Sequence, residues 1–171
     1  MTITTGHLRA ICPQASRNVD VFVPYLNKYM QEFGIDTVEE IRMFLAQIAH
    51  ESGQFRYTQE IASGKAYEGR KDLGNIYHGD GVKFKGRGLI QLTGRDNYRK
   101  ISQATGVDFI ANPGLLSTPS YAVYSACWFW KSRGLGKYAT DIVKCTKIIN
   151  GGLNGLNKRK EFWERAKFVI L

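Results

Sequence analysis

The chain has little to hold a metal with, nothing long enough to cross a membrane with, and too few acids to balance its bases. Its only histidines are His7, His50 and His78, and its only cysteines are Cys12, Cys127 and Cys145. The cysteine count is odd and shows no CxxC spacing. Cys127 lies in the apolar stretch from Ala122 to Trp130, so buried free thiols in a reducing compartment are expected. His50-Glu51 opens like the HExxH zinc motif, but Gln54 stands where the second histidine belongs. No metal or other cofactor is therefore expected. No run of eighteen apolar residues occurs, which excludes a transmembrane helix. The stretch from Met1 to His7 lacks a basic and an apolar region, so no secretory signal is expected.

Acidic residues number 15 against 24 lysines and arginines, giving a net charge of +9 at pH 7. Such a balance fits a polyanionic partner: nucleic acid, an anionic cell wall or an acidic membrane surface. The basic residues are spread along the chain and match no DNA- or RNA-binding motif, which argues against nucleic acid.

At 171 residues, 43% of them hydrophobic, the chain suits one globular domain spanning residues 1–171. Most of it reads as helix. Phe22, Leu26, Tyr29, Met30 and Phe33 predict a helix over 18–33, with Pro24 in its first turn or at a kink. Ile41, Phe44, Leu45 and Ile48 predict another over 37–52, started by Thr37 as N-cap with Glu40 completing a capping box. Pro119 opens a helix over 120–132 that is apolar nearly all round and reads as the buried central helix. Helices over 140–150 and 157–170 follow. Residues 63–88 hold seven of the 18 glycines and mark a loop-rich lobe with short strands.

Two stretches carry chemistry. In Phe44-Leu45-Ala46-Gln47-Ile48-Ala49-His50-Glu51-Ser52-Gly53, Glu51 falls near the azimuth of Phe44, so its carboxyl leaves the apolar face. Gly53 ends the helix there, and a helix C-terminus disfavours negative charge. Burial and dipole both favour the protonated form that a general acid needs. The plain alternative is a frayed helix end in solvent. In Lys85-Gly86-Arg87-Gly88-Leu89-Ile90-Gln91-Leu92-Thr93-Gly94-Arg95-Asp96-Asn97-Tyr98, alternation puts Gln91 and Thr93 on one face of a short extended segment. Neither the P-loop nor the GxGxxG spacing is present. The stretch reads either as a glycine-rich turn plus strand, or as a wall of amides and hydroxyls suited to a sugar or a held water.

These residues resemble glycoside hydrolase family 19, the group of plant-type chitinases and phage endolysins. Ala49 to Phe55, Lys85 to Tyr98 and Lys147-Ile148-Ile149-Asn150-Gly151-Gly152 are similar to three of its motifs, in the family's order, over roughly residues 38–160. The compact segment Glu60-Ile61-Ala62-Ser63-Gly64-Lys65-Ala66-Tyr67-Glu68-Gly69-Arg70 looks like the endolysin branch. The resemblance implies a mainly α, lysozyme-like fold of two lobes, with a central buried helix and a small loop or hairpin lobe lining a cleft. It implies Glu51 as general acid, Glu60 as the carboxylate that activates water, and Thr93 as a hydroxyl holding that water. It also implies that Gln91, Asn97 and Asn150 line the substrate cleft. Glu68 and Asp72 are rivals for the second carboxylate, but Arg70 and Lys71 beside them favour surface ion pairs. Inversion would require carboxyls about 6.5–9.5 Å apart.

The last helix mixes basic and aromatic residues. Docking of Phe162, Phe168 and Val169 on the core with a solvated basic face is expected over a membrane-disrupting role. The combined expectation is a monomeric, muramidase-type endolysin cutting β-1,4 links of bacterial peptidoglycan. It would be made in the host cytoplasm and act on the periplasmic wall, without nucleic acid or stable membrane insertion. A chitinase, or a wall-binding protein without catalysis, is the alternative.

Overall fold

The computed structural model describes residues 1–171. Its helices are α1 (Thr5–Ile11), α2 (Val23–Glu32), α3 (Val38–Glu51), α4 (Asp80–Lys83), α5 (Arg95–Thr105), α6 (Pro119–Ser132), α7 (Ile142–Asn150) and α8 (Leu156–Val169), joined by short 3-10 turns. The helical body carries the core, and a turn-rich lobe occupies most of the chain between α3 and α5. No strand forms. The expected strands of the lobe, and the extended segment at Leu89–Thr93, shrink to isolated bridges between Gln59 and Arg87 and between Arg87 and Leu92. Gly88 and Gly94 take left-handed φ values of 83° and 96°, and Gln91 one of 57°, which turn the chain before a ladder can start.

Helix α2 begins later than expected, because Val19–Phe22 forms a 3-10 turn and Pro24 then sits in the first turn of α2. Helix α1 has no counterpart in the sequence reading. It is started by Thr4, whose hydroxyl accepts from His7 N while His7 Nδ1 accepts from Thr4 N. Histidine in place of the usual Glu or Gln hides that capping box.

Helix α3 is the most thoroughly buried element: every residue from 40 to 49 except Arg42 is out of solvent. It packs along α8, and Phe44 meets Trp130 of α6 edge to face at 5.3 Å. Helix α6 is buried as expected along Ala122, Val123, Ala126 and Cys127, and α3 is buried over more of its length. Thr37 caps α3 as expected, accepting from Glu40 N at 3.2 Å. The other half of the box fails because the Glu40 carboxylate turns inward to accept from Trp130 Nε1 at 2.8 Å. A buried carboxylate deprived of its donor costs about 1–3 kcal/mol or more. Trp130→Phe is therefore expected to lower the stability by about that much, read as a lower urea midpoint with unchanged slope.

The three thiols are free and buried. Burial pushes those of Cys12 and Cys145 up to about 12 and raises that of Cys127 as well. In α8, Phe162 docks on the core and Val169 is partly covered, but Phe168 stands 82% exposed. Phe168 lies about 240° around the helix from Phe162, so the two cannot share a face.

Candidate active site

Glu51 is the last residue of α3, and Ser52 and Gly53 turn the chain away from it. Its side chain is 17% exposed and faces Arg159 of α8, whose Nη2 lies 2.6 Å from Oε1. That contact is an ion pair without hydrogen-bond alignment. Arg159 is 1% exposed despite the charged neighbours Lys158 and Lys160. Its fork is held elsewhere by Gln47 Oε1 at 2.7 Å and by the Asn154 carbonyl at 3.1 Å. Gln47 in turn donates to Thr146 Oγ1 of α7 at 3.2 Å. Burial raises the Glu51 pKa above the usual carboxylate value, and the Arg159 charge opposes that shift without cancelling it. A carboxyl held toward its protonated form, at the end of an apolar helix, has the properties of a general acid.

The neighbouring turn closes over the same helix end. Asn150 is the last residue of α7, and its Oδ1 accepts from Asn154 N at 3.2 Å. Gly155 (φ 75°) lies against the His50 ring, leaving no room for a side chain. Burial, then the charges of Arg159 and Lys158, push the His50 pKa down to about 4. The ring is thus neutral beside Glu51.

Glu60 belongs to the turn-rich lobe. Its backbone N–H donates to the Gly86 carbonyl at 2.9 Å, and the Gly86 N–H returns a bond to carboxylate Oε1. Oε2 accepts from the Tyr67 hydroxyl at 3.0 Å. The Tyr67 backbone is anchored by buried Asn75, whose Nδ2 donates to the Tyr67 carbonyl at 2.9 Å. Asn75 Oδ1 accepts from Arg95 N, and Arg95 forks onto buried Asp80 at 2.8 and 2.9 Å. The carboxylate of Glu60 thus hangs from a lobe stapled together by polar contacts.

Gln91 and Thr93 join Glu60 around Gly86. A Cβ on Gly86 would lie 3.1 Å from Gln91 Oε1 and 3.3 Å from both Glu60 Oε1 and Thr93 Oγ1. A side chain at 86 would press on all three of these oxygens, which converge there. Thr93 Oγ1 donates to the Gln91 carbonyl at 3.0 Å, so its lone pairs are left to accept. Asn97 Nδ2 donates to the Thr93 carbonyl at 2.8 Å and braces that turn. Gly88 comes up against Ser125 of α6, which docks the lobe onto the helical body. Arg87 does not face a substrate: it is buried and bonds Gln59, the Lys83 carbonyl and the Tyr98 hydroxyl. The rival carboxylates are engaged elsewhere, Asp72 with Arg70 at 2.6 Å and Glu68 with Gly79 N at 3.2 Å, both exposed.

The structure therefore brings Glu60, Gln91, Thr93 and Asn97 together, while Glu51 pairs with Arg159 and Asn150 ends α7 at the turn that meets His50. Sequence reasoning missed Arg159, Gln47 and Tyr67. Arg159 was legible in principle, since it shares a helix face with Phe162 and Ala166, three and seven residues on.

A family model described as class I chitinase, glycoside hydrolase family 19, matches residues 32–155. A Haemophilus influenzae protein described as containing a glycosyl hydrolase family 19 domain is 34% identical, covering 99% of this chain and 97% of its own. An acidic endochitinase of Beta vulgaris is 30% identical over 90% of this chain, which spans 56% of that protein. In general the chain spans about half the length of the plant endochitinases it matches. Among solved structures, a bacterial family 19 chitinase superposes with a TM-score of 0.80 at 18% identity, covering 99% of this chain and 95% of that one. At that identity the likeness speaks for the fold alone, and the fold it supports is the helical one described above. With the family model over most of its length and a full-length relative, the chain belongs to glycoside hydrolase family 19 and is a glycoside hydrolase.

Proposed function

We propose that this glycosidase cuts the β-1,4 links of bacterial peptidoglycan with inversion, as an endolysin. Glu51 protonates the leaving glycosidic oxygen. Glu60, oriented by Tyr67 and Gly86, takes a proton from a water held by Thr93 and Gln91 on the other face of the sugar, and that water attacks the anomeric carbon. Inversion calls for carboxyls about 6.5–9.5 Å apart, a separation that leaves room for the water. Asn150 and Asn97 border the glycan.

What favours wall over chitin is charge. The chain carries +9, whereas two of its endochitinase relatives, from Beta vulgaris and Solanum lycopersicum, are named acidic. Chitin is neutral; peptidoglycan carries lactyl and peptide carboxylates, and a cationic enzyme is drawn to it. Synthesis in a bacterial host's cytoplasm and action on its periplasmic wall complete the reading. The chitinase reading keeps its own support, since the plant relatives are named endochitinases.

Purified protein is expected to clear Gram-negative cells stripped of their outer membrane, less so as salt rises and screening shortens charge attraction to about 8 Å. Reducing ends should be released without free amino groups, and the first-formed end should be the α-anomer by NMR. Fast hydrolysis of soluble chitin oligomers with no effect on wall would replace this reading with the chitinase.

A further inference from the structure

We propose that the cavity between α5 and the turns at residues 71–77 is a carboxylate-binding subsite for the peptide stems of peptidoglycan; the proposal rests on the wall-hydrolase reading above. The cavity measures about 420 Å³, within the usual range for a ligand site. Three cations line it: Lys71, Arg95 and Arg99. They are not equally free. Arg95 is committed to Asp80 and lies over the rings of Tyr77 and Phe84 at 4.6 and 4.8 Å. Arg99 spends one nitrogen on Asp96 at 3.1 Å, in a pair whose side chains are 58% and 43% exposed. Such an exposed pair contributes little and can be exchanged for another carboxylate. Lys71 is exposed and takes part in none of the ion pairs. Setting Asp80 against Arg95 and Asp96 against Arg99 leaves one positive charge in excess.

Beside Asp96, the rest of the lining is Gly74 and three large apolar side chains. Ile76 is 66% exposed and Tyr77 59%, with Ile110 beside them. Large apolar side chains grouped at a cationic cavity mark a binding surface. A stem peptide offers what this surface can take up: carboxylates for Lys71 and Arg99, and alanine methyl groups for Ile76, Tyr77 and Ile110. An unsubstituted, neutral glycan offers neither.

The cavity is also tied mechanically to the proposed base. Asn75 bridges Arg95 N to the Tyr67 carbonyl, and the Tyr67 hydroxyl holds Glu60. Helix α5, which carries Arg99, starts just after Thr93. A stem seated here would therefore dock on the same rigid lobe that carries the water-activating group.

The test compares wild type with the Lys71→Glu/Arg99→Glu variant on two substrates: intact sacculi, and glycan strands whose stems an amidase has removed. The charge-matched variant Lys100→Glu/Lys137→Glu, at exposed positions outside the cavity, controls for bulk charge. The expected result is a KM on sacculi raised about tenfold more in the cavity variant than in the control, with kcat within about twofold and stripped strands affected equally in the two variants. An unchanged KM on sacculi, an equal rise on stripped strands, or an equal rise in the control would overturn the subsite while leaving the wall hydrolase standing. A wild type inert on both wall substrates but active on chitin oligomers would overturn the wall reading, and the subsite with it.

Discussion

Glu51→Gln is expected to lower turnover by about 10²-fold or more while leaving the unfolding midpoint close to wild type. The amide fills the same space but has no proton to give. Because burial raises the Glu51 pKa, the protonated acid survives above the usual carboxylate range and is lost as pH rises through the raised value. Activity should therefore fall on the alkaline side. Arg159 works against that shift, so Arg159→Met should move the alkaline limb to higher pH in whatever enzyme remains folded. The same linkage acts on stability. The folded state binds the Glu51 proton more tightly than the unfolded chain, so this group's contribution declines as pH climbs from the ordinary carboxylate value to the raised one. A folded Glu51→Gln enzyme that clears wall at near wild-type rate would remove Glu51 from the acid role.

A loss of similar size, again about 10²-fold or more, is expected for Glu60→Gln, with Glu68→Gln and Asp72→Asn within about twofold of wild type. Both oxygens of Glu60 receive donors, from Gly86 and Tyr67, so the carboxylate is fixed in one orientation. An amide would set an N–H against one of those donors, losing both the base and its placement. Asp72 is bound to Arg70 on the surface and Glu68 to a backbone N–H. Rates on sacculi from the three variants decide the matter, and the assignment fails if Asp72→Asn is dead and Glu60→Gln is not.

Much of the setting of Glu51 was legible in the chain. The apolar spacing of Ile41, Phe44, Leu45 and Ile48 places Glu51 on the core azimuth, and Thr37 and Gly53 mark where its helix starts and stops. What escaped was the partner. Arg159 lies in the run Lys158-Arg159-Lys160, where a single buried cation looks like its solvated neighbours unless Phe162 and Ala166 are used to set the helix face. The same omission misplaced Phe168. Glu60 came only by resemblance, since its partners Tyr67 and Gly86 are brought to it by turns with no period to read. The Leu89–Thr93 alternation misled because a strand needs a partner strand, and left-handed turns at Gly88, Gln91 and Gly94 remove it.

The pairing of Glu51 with Arg159 also orders events in time. A ribosome makes α3 long before α8, and the helix that supplies Arg159 follows every other helix of the fold. Until it arrives, Gln47 and Glu51 lack the cation they pair with. A nascent chain carries the glutamate without its electrostatic setting. The ion pair that joins α3 to α8 is thus completed only once the last helix is in place.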